Sequence, residues 1–192
     1  YFQSSMNAAV LERAALEAKL RRAIGEGQLS LNYQPQINPK TAEVVGLEAL
    51  LRWNDPEAGH ISPGAFIPSA EEPALTLPMG EWVIDEACRQ ARQWDARGLR
   101  SVPISVNVSG VQFERQDVAE IVRAAVSRHQ LPPGRLEVEI TESAIMRHPE
   151  RAVAALKAMR ESGVGVALDD FGTGYSSLSY LRRFPIDTLK ID

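Results

Sequence analysis

The chain has 192 residues, 44% hydrophobic and 24% charged, enough for one globular domain with a sizeable core and too few for a second. A formal net charge of −4 provides no broad positive field for a DNA or RNA polymer or for an anionic membrane, so a phosphate-bearing ligand has to be held by a local site. The single cysteine excludes a disulfide framework within the chain and fits a reducing cytosol, and no apolar run reaches the roughly 18 residues of a transmembrane helix.

The opening Tyr1-Phe2-Gln3-Ser4 reads as the remnant of a cleavable expression tag, so residues 1–5 are left out of fold reasoning. From Asn7 to Gly27, Leu16, Leu20 and Ile24 recur at helical spacing, and Gly25 and Gly27 mark a stop. This predicts a leading amphipathic helix within residues 6–27. Two extended stretches follow, Leu31 to Ile37 and Val44 to Trp53, joined by a turn around Pro39, Lys40 and Thr41. A parallel crossover needs about a dozen residues, so the pair is predicted to be an antiparallel hairpin. Asn54 to Ser62 reads as a loop broken by Pro56 and Gly59, and Pro63 is placed to begin a short helix.

A long helix is predicted from about Met79 to Arg97. Trp82, Val83, Ala87, Ala91 and Trp94 share one face, Cys88 is a buried structural thiol among them, and Gly98 is the stop. Beyond it, strand patterns at Val102–Val108, Arg135–Thr141, Val164–Leu168 and Thr188–Ile191 alternate with helical patterns near Asp117–His129, Pro149–Ser162 and Tyr175–Arg182. Repeated strand and helix units with short links predict parallel strands covered by helices, as an open α/β sheet or a barrel.

Parallel strands in such folds are covered on both faces and read as nearly continuous apolar runs. Several here do not. Ser105, Asn107 and Ser109 alternate with Ile104, Val106 and Val108, and Glu137, Glu139 and Thr141 alternate with Leu136, Val138 and Ile140. Val164 to Leu168 runs into Asp169-Asp170, and Lys190 lies beside the end of the last strand. Polar groups thus gather toward C-terminal strand ends, where α/β barrels build their sites. A solvated strand end explains any one of these positions as well; for the whole set a shared site is the better account. Carboxylates from Glu48, Glu139, Asp169 and Asp170, with the amide oxygen of Asn107, are hard oxygen donors suited to magnesium or manganese. His60, His129 and His148 are scattered and no Cys–His spacing exists, which argues against zinc. Adjacent Asp169 and Asp170 suit a two-metal centre with ions about 3.5–4 Å apart, although an Asp–Asp pair more often caps or turns. By themselves the residues lead to a metal-dependent α/β barrel, with hydrolase chemistry as one option.

At Glu48-Ala49-Leu50-Leu51-Arg52-Trp53 and at Asp169-Asp170-Phe171-Gly172-Thr173-Gly174-Tyr175-Ser176-Ser177 the sequence resembles the EAL family of cyclic di-GMP phosphodiesterases. Four further segments fall in the family's order: Tyr33-Gln34-Pro35, Ser105-Val106-Asn107-Val108-Ser109, Glu139-Ile140-Thr141-Glu142, and Phe184-Pro185-Ile186-Asp187-Thr188-Leu189-Lys190-Ile191-Asp192. This ordered series is far more specific than a Glu-Ala-Leu triplet alone. The resemblance implies an α/β fold, a modified TIM (β/α)8 barrel with an antiparallel first strand, in agreement with the hairpin above. It also implies that the chain stops after the sixth strand, lacking the last two β/α units, so that residues 28–192 form a C-terminally incomplete EAL phosphodiesterase domain. Those units carry a further metal-site glutamate and a glutamine near the substrate in the family.

Carried over position by position, the resemblance implies Glu48, Asn107, Glu139 and Asp169 as holders of one metal and Asp169 with Asp170 as holders of the second. Glu48, Asp170 and Lys190 form the implied catalytic set, with Lys190 near the attacking water, where a cation polarises a hydroxide-like nucleophile. Arg52 falls on a ligand-phosphate contact, for which a planar guanidinium is suited. Leu50 and Gln34 fall on the substrate pocket, Gln34 near a guanine base, and Glu142 falls on a glutamate that steadies the loop after Asp170. Gly172 and Gly174 supply turning freedom in that loop and do not fit a dinucleotide fingerprint.

The implied function is metal-dependent hydrolysis of cyclic di-GMP to linear pGpG in bacterial signalling, with Mg2+ or Mn2+ as cofactor, Ca2+ as inhibitor and a homodimer as the assembly. The domain is expected in the cytoplasm, with neither a nucleic-acid polymer nor a direct membrane contact; a membrane anchor in the parent protein would belong to N-terminal regions outside this chain. The alternative is a receptor that binds the dinucleotide in the same pocket without cutting it. Such receptors commonly lose metal ligands or the loop motif, whereas Glu48, Asn107, Glu139, Asp169, Asp170 and Lys190 all remain, so the enzyme is the favoured reading. An unrelated sugar-handling barrel would make the ordered motifs a coincidence. A polypeptide that stops at Asp192 is expected to fold poorly, because a barrel removes its sheet edges only by closing.

Overall fold

The computed structural model describes residues 15–67, 73–172 and 182–191. Helix α1 covers residues 15–25 and buries Leu20 and Ala23. Residues 7–14 of the predicted leading helix, residues 1–5 expected to be a tag remnant, and 175–181 of the predicted helix after the Gly172-Thr173-Gly174 segment lie outside the described residues.

Strands β1 (Leu29–Ile37) and β2 (Val44–Asp55) form the expected antiparallel hairpin, with Gln34 opposite Glu48 and Leu29 opposite Trp53. Asn38 makes its turn: the side-chain oxygen accepts the backbone N–H groups of Lys40 and Thr41 at 2.9 and 3.3 Å. The span read as a loop from Asn54 to Ser62 holds one more strand, β3 (Gly59–Ile61), antiparallel to the end of β2. The buried Asp55 carboxylate accepts from the N–H groups of Glu57 and Ala58 at 2.9 and 2.7 Å and folds the chain back, with Gly59 at a φ of 73°. Three residues are too few for alternation to register in the sequence.

Helix α2 (Pro63–Phe66) starts at Pro63 as expected. Helix α3 (Pro73–Ala96) begins ahead of the predicted Met79 and runs through Pro78. That proline sits in the second turn, where its missing N–H forgoes one bond, to the Ala74 carbonyl, and burial of Leu75 and Thr76 holds the turn in place. Met79, Val83, Ile84, Ala87, Cys88 and Ala91 make its buried face. Burial pushes the Cys88 thiol up to about 12, so it packs and does not react at neutral pH.

From there β4 (Ile104–Val108), β5 (Leu136–Thr141), β6 (Gly165–Asp169) and β7 (Thr188–Leu189) alternate with helices. These are α4 (Gly110–Arg115), α5 (Val118–His129), α6 (Glu142–Met146) and α7 (Pro149–Glu161). Helices α4 and α6, of 6 and 5 residues, are too short to show a helical period and have no counterpart in the sequence reading. The sheet runs β1-β2-β4-β5-β6-β7, antiparallel between β1 and β2 and parallel from β2 onward. These are six strands of a TIM-like β/α barrel wall with an antiparallel first strand. Among the described residues no helix is long and apolar enough to cross a membrane.

The main core lies between sheet and helices, where Val106, Val138 and Val166 pack in one cluster with Ala87, Val122 and Leu156. A second cluster joins α1 to β1, β2 and α3 through Leu20, Leu29, Trp53, Phe66 and Leu75, with the Trp53 and Phe66 rings edge to face at 5.6 Å. Each such buried aliphatic side chain stabilises the fold by about 1.5–3 kcal/mol. Because side chains alternate along a strand, a one-residue slip of β4 or β5 would drive Asn107 or Glu139 into the core and lift Val106 or Val138 out of it. The apolar face therefore dictates which polar face the strands present on the other side.

Candidate functional site

Glu48 from β2, Asn107 from β4, Glu139 from β5, Asp169 at the end of β6 and Lys190 directly after β7 meet in one cluster. The Lys190 ammonium stands 2.7 Å from Glu139 Oε2, 3.4 Å from Glu48 Oε2 and 3.9 Å from Asp169 Oδ2. Asn107 donates Nδ2–H to Glu48 Oε1 at 2.9 Å. Strand register sets the positions: Asn107 is beside Glu139, and Thr141 beside Asp169. The lysine backbone is pinned to β6, its N–H donating to the Leu168 carbonyl at 2.8 Å and its own carbonyl accepting the Phe171 N–H at 3.2 Å.

Glu139 has no exposed side-chain surface, whereas Glu48, Asp169 and Lys190 keep 22–26%. Burial raises the Glu139 carboxyl above the ordinary range, with the Glu48 charge adding to the rise and Lys190 opposing it. Burial works against the Lys190 ammonium as well, but the bond to Glu139 and the charges of Glu139, Glu48 and Asp169 reverse this and leave it raised. Three carboxylates thus face a single ammonium, and the cluster is short of positive charge.

The donors fit a divalent ion. Glu139 Oε1 is buried without a hydrogen-bond partner among the described residues; the neighbouring Ser105 hydroxyl spends its one proton on Glu137 Oε1 at 2.7 Å. Such an unmet oxygen costs about 1–3 kcal/mol or more, and a cation bound to it removes that cost. The ligand set is all hard oxygen, the chemistry of magnesium and manganese. As the side chains stand, no three of the described acidic, histidine or cysteine residues close on one point, and the Lys190 ammonium stands among the Glu48, Glu139 and Asp169 carboxylates.

The remaining predicted residues border this cluster. Asp170 is exposed one residue past β6, at a φ of 54°, and its N–H donates to Asp169 Oδ1 at 3.0 Å. Leu50 and Arg52 share a wall of an adjoining cavity of about 330 Å³ with Pro63, Met79, Asn107 and Gln112. Gln34 is exposed opposite Glu48 on the same face of the hairpin. Glu142, buried at the start of α6, accepts the Gly172 N–H at 3.1 Å. Two further polar residues of the strand pattern, Ser105 and Glu137, pair with each other one layer below, where Thr188 also donates to Glu137 at 3.1 Å, and Ser105 works against the rise of the Glu139 carboxyl.

Ser109 and Gln112, just after Asn107, form a reciprocal capping box on α4 that the sequence reading missed, although the Ser-x-x-Gln spacing is its signature. Gln112 is buried against Gly80 of α3: a Cβ at Gly80 would come within 1.8 Å of Gln112 Nε2. Gly80→Ala, which in an open helix would gain about 1 kcal/mol, is therefore expected to destabilise the protein by about 1–3 kcal/mol through overpacking. Adding Gln112→Ala should remove the collision while giving up the capping-box bond to Ser109, so the double variant should lose less than the sum of the two single losses. Denaturant melts of the two single variants and the double variant check the coupling; additive losses would show that the two residues do not collide.

A family model described as EAL domain matches residues 17–192. The chain belongs to the EAL domain family. It is 46% identical over 192 residues to the bifunctional diguanylate cyclase/cyclic di-GMP phosphodiesterase MucR of Pseudomonas aeruginosa, an alignment covering 100% of this chain and 28% of that protein. With the cyclic di-GMP phosphodiesterase PdeR of Escherichia coli it shares 40% identity over 191 residues, 100% of this chain and 29% of the relative. The chain thus spans less than a third of the length of either. Its structure superimposes on a solved PaMucR phosphodiesterase in complex with c-di-GMP with a TM-score of 0.87 at 46% identity, covering 93% of this chain and 72% of the other. In this EAL domain the Glu48-Ala49-Leu50 triplet lies mid-β2, with Ala49 in the core and its two neighbours on the opposite face.

Proposed function

We propose that this EAL domain hydrolyses cyclic di-GMP to linear pGpG with two divalent ions, magnesium or manganese. The observation that carries the reading is the convergence of Glu48 from the middle of β2 with Asn107, Glu139, Asp169 and Lys190 from the later strands, beside the cavity that Arg52 lines. The MucR and PdeR relatives, named as cyclic di-GMP phosphodiesterases, and the ligand in the solved neighbour support the same substrate. On this reading Glu48, Asn107, Glu139 and Asp169 hold one ion, and Asp169 and Asp170 the other. When bound there, the ions would supply Lewis-acid chemistry, lowering the pKa of a water and offsetting charge on the leaving oxygen. Lys190 holds the attacking oxygen, Arg52 forks onto a phosphate, and Leu50 and Gln34 line the base-binding side. Water's oxygen bonds to phosphorus and gives up one proton, one phosphodiester P–O bond breaks, and the departing ribose oxygen takes up one proton, so that one water is added across the bond. Glu142 keeps the loop after Asp170 in place.

The domain so read comprises residues 28–192, preceded by a leading helix at 6–27. It works in the cytoplasm as a homodimer, with no membrane contact of its own. Incubation of the protein carrying this domain with cyclic di-GMP, followed by chromatography, should yield pGpG with manganese or magnesium and none with calcium, whose larger and looser shell suits closely spaced ions poorly. Binding without any product in manganese at neutral to alkaline pH would replace the enzyme with a receptor.

A further inference from the structure

We infer that Lys190 is also the resident cation of the metal-free site, and that a divalent ion loads by displacing its ammonium from the Glu48, Glu139 and Asp169 carboxylates. This rests on the metal-site reading above and adds to it a state of the protein before metal arrives. A lysine kept only to hold a water has no need to bond carboxylates, yet the closest partner of Lys190 is the fully buried Glu139 at 2.7 Å, with carboxylates from two other strands at 3.4 and 3.9 Å. Without a cation among them, three acidic groups, one of them with no exposed side-chain surface, would face each other in a partly dry site. The ammonium is a compact charge on a flexible four-carbon stem, suited to that place.

Occupancy is exclusive because two cations on the same carboxylate oxygens repel at close range where water screens little. The lysine also leaves part of the demand unmet. It bonds Glu139 Oε2, while Oε1 stays buried without a partner among the described residues, so a divalent ion reaching both has more to gain. The movement is confined to the side chain, since the Lys190 backbone is held on both sides by Leu168 and Phe171. Loading the site thus releases an ammonium beside the carboxylates, where the proposed reaction uses it.

The decisive variant is Lys190→Met, which keeps the stem and deletes the charge. In chelator its melting temperature should fall by on the order of 5 °C relative to wild type, and saturating Mn2+ should close that gap. Calorimetric titration should show Mn2+ binding about tenfold tighter than wild type, which is about 1.4 kcal/mol. The gain should persist at 0.5 M salt, where a charge acting at a distance is screened to about 4 Å. Lys190→Arg, which keeps the charge, should not tighten binding, and Lys40→Met at the exposed hairpin turn should change neither quantity. Unchanged or weaker Mn2+ binding by Lys190→Met, with wild type binding normally, overturns the displacement while leaving the metal site standing. Absence of Mn2+ binding by wild type itself removes both.

Discussion

Glu48→Gln is expected to lower cyclic di-GMP turnover by at least about a thousandfold, about 4 kcal/mol of transition-state stabilisation, with little loss of folding. Glu48 Oε1 accepts from Asn107 and Oε2 faces Lys190, so both oxygens serve as acceptors. Glutamine keeps the shape but puts an NH2 group against one of these two donors and withdraws a full charge from the proposed ion. The fold has little to lose. The side chain is 22% exposed, and its charge works against ionised Glu139, so neutralising it relieves a repulsion as it weakens the Lys190 contact. Melting should therefore move by the equivalent of about 1 kcal/mol or less, as for an exposed pair. Turnover, Mn2+ titration and thermal melting on the same preparation separate the effects; wild-type turnover would show that Glu48 holds nothing the reaction needs.

The candidate site was legible in the sequence where chemistry follows strand alternation. Asn107 and Glu139 occupy the non-core face of strands whose other face is Ile104, Val106, Val138 and Ile140, and burial on one side leaves them one place to go. Alternation names a face and not a height, which is why Ser105 and Glu137 read like site residues and instead pair one layer lower. The hairpin followed from link length and α5 from its helical pattern near Asp117–His129, to which the structure adds a cap: the Asp117 side chain accepts the Glu120 N–H at 3.1 Å. What escaped was short or tertiary. Strand β3 has three residues, and its turn is made by a carboxylate two to three positions away, while the closeness of Gly80 to Gln112 depends on α3 meeting α4. The meeting of Lys190 with Glu48 across 142 positions rested on barrel topology and the family resemblance, because local periodicity carries no information at that range.

Glu142→Ala should damage the same site from outside it. Glu142 follows the Thr141 cap as the first residue of α6, where the helix dipole favours a negative charge, and it is buried at 5% exposure. Its Oε2 accepts the Gly172 N–H at 3.1 Å, and Gly172 takes a φ of 95°, a conformation that a neighbouring bond has to hold because glycine alone does not prefer it. The segment leaving β6 is thus tied at two points, Phe171 to the Lys190 carbonyl and Gly172 to Glu142, with Asp169 and Asp170 immediately before them. Alanine removes the second tie and leaves the Gly172 N–H without that acceptor, a loss of about 1–3 kcal/mol in stability. Both aspartates remain, so metal binding should weaken without vanishing. A supporting residue around a metal site typically costs about 10–100-fold in affinity or activity when removed, and apparent Mn2+ affinity and turnover should each fall within that range. Glu142→Gln retains an acceptor oxygen for Gly172 and should recover most of both. A structural contact that serves stability alone would lower the melting temperature of Glu142→Ala and leave its metal titration and turnover at wild-type values, and that result would remove the loop role.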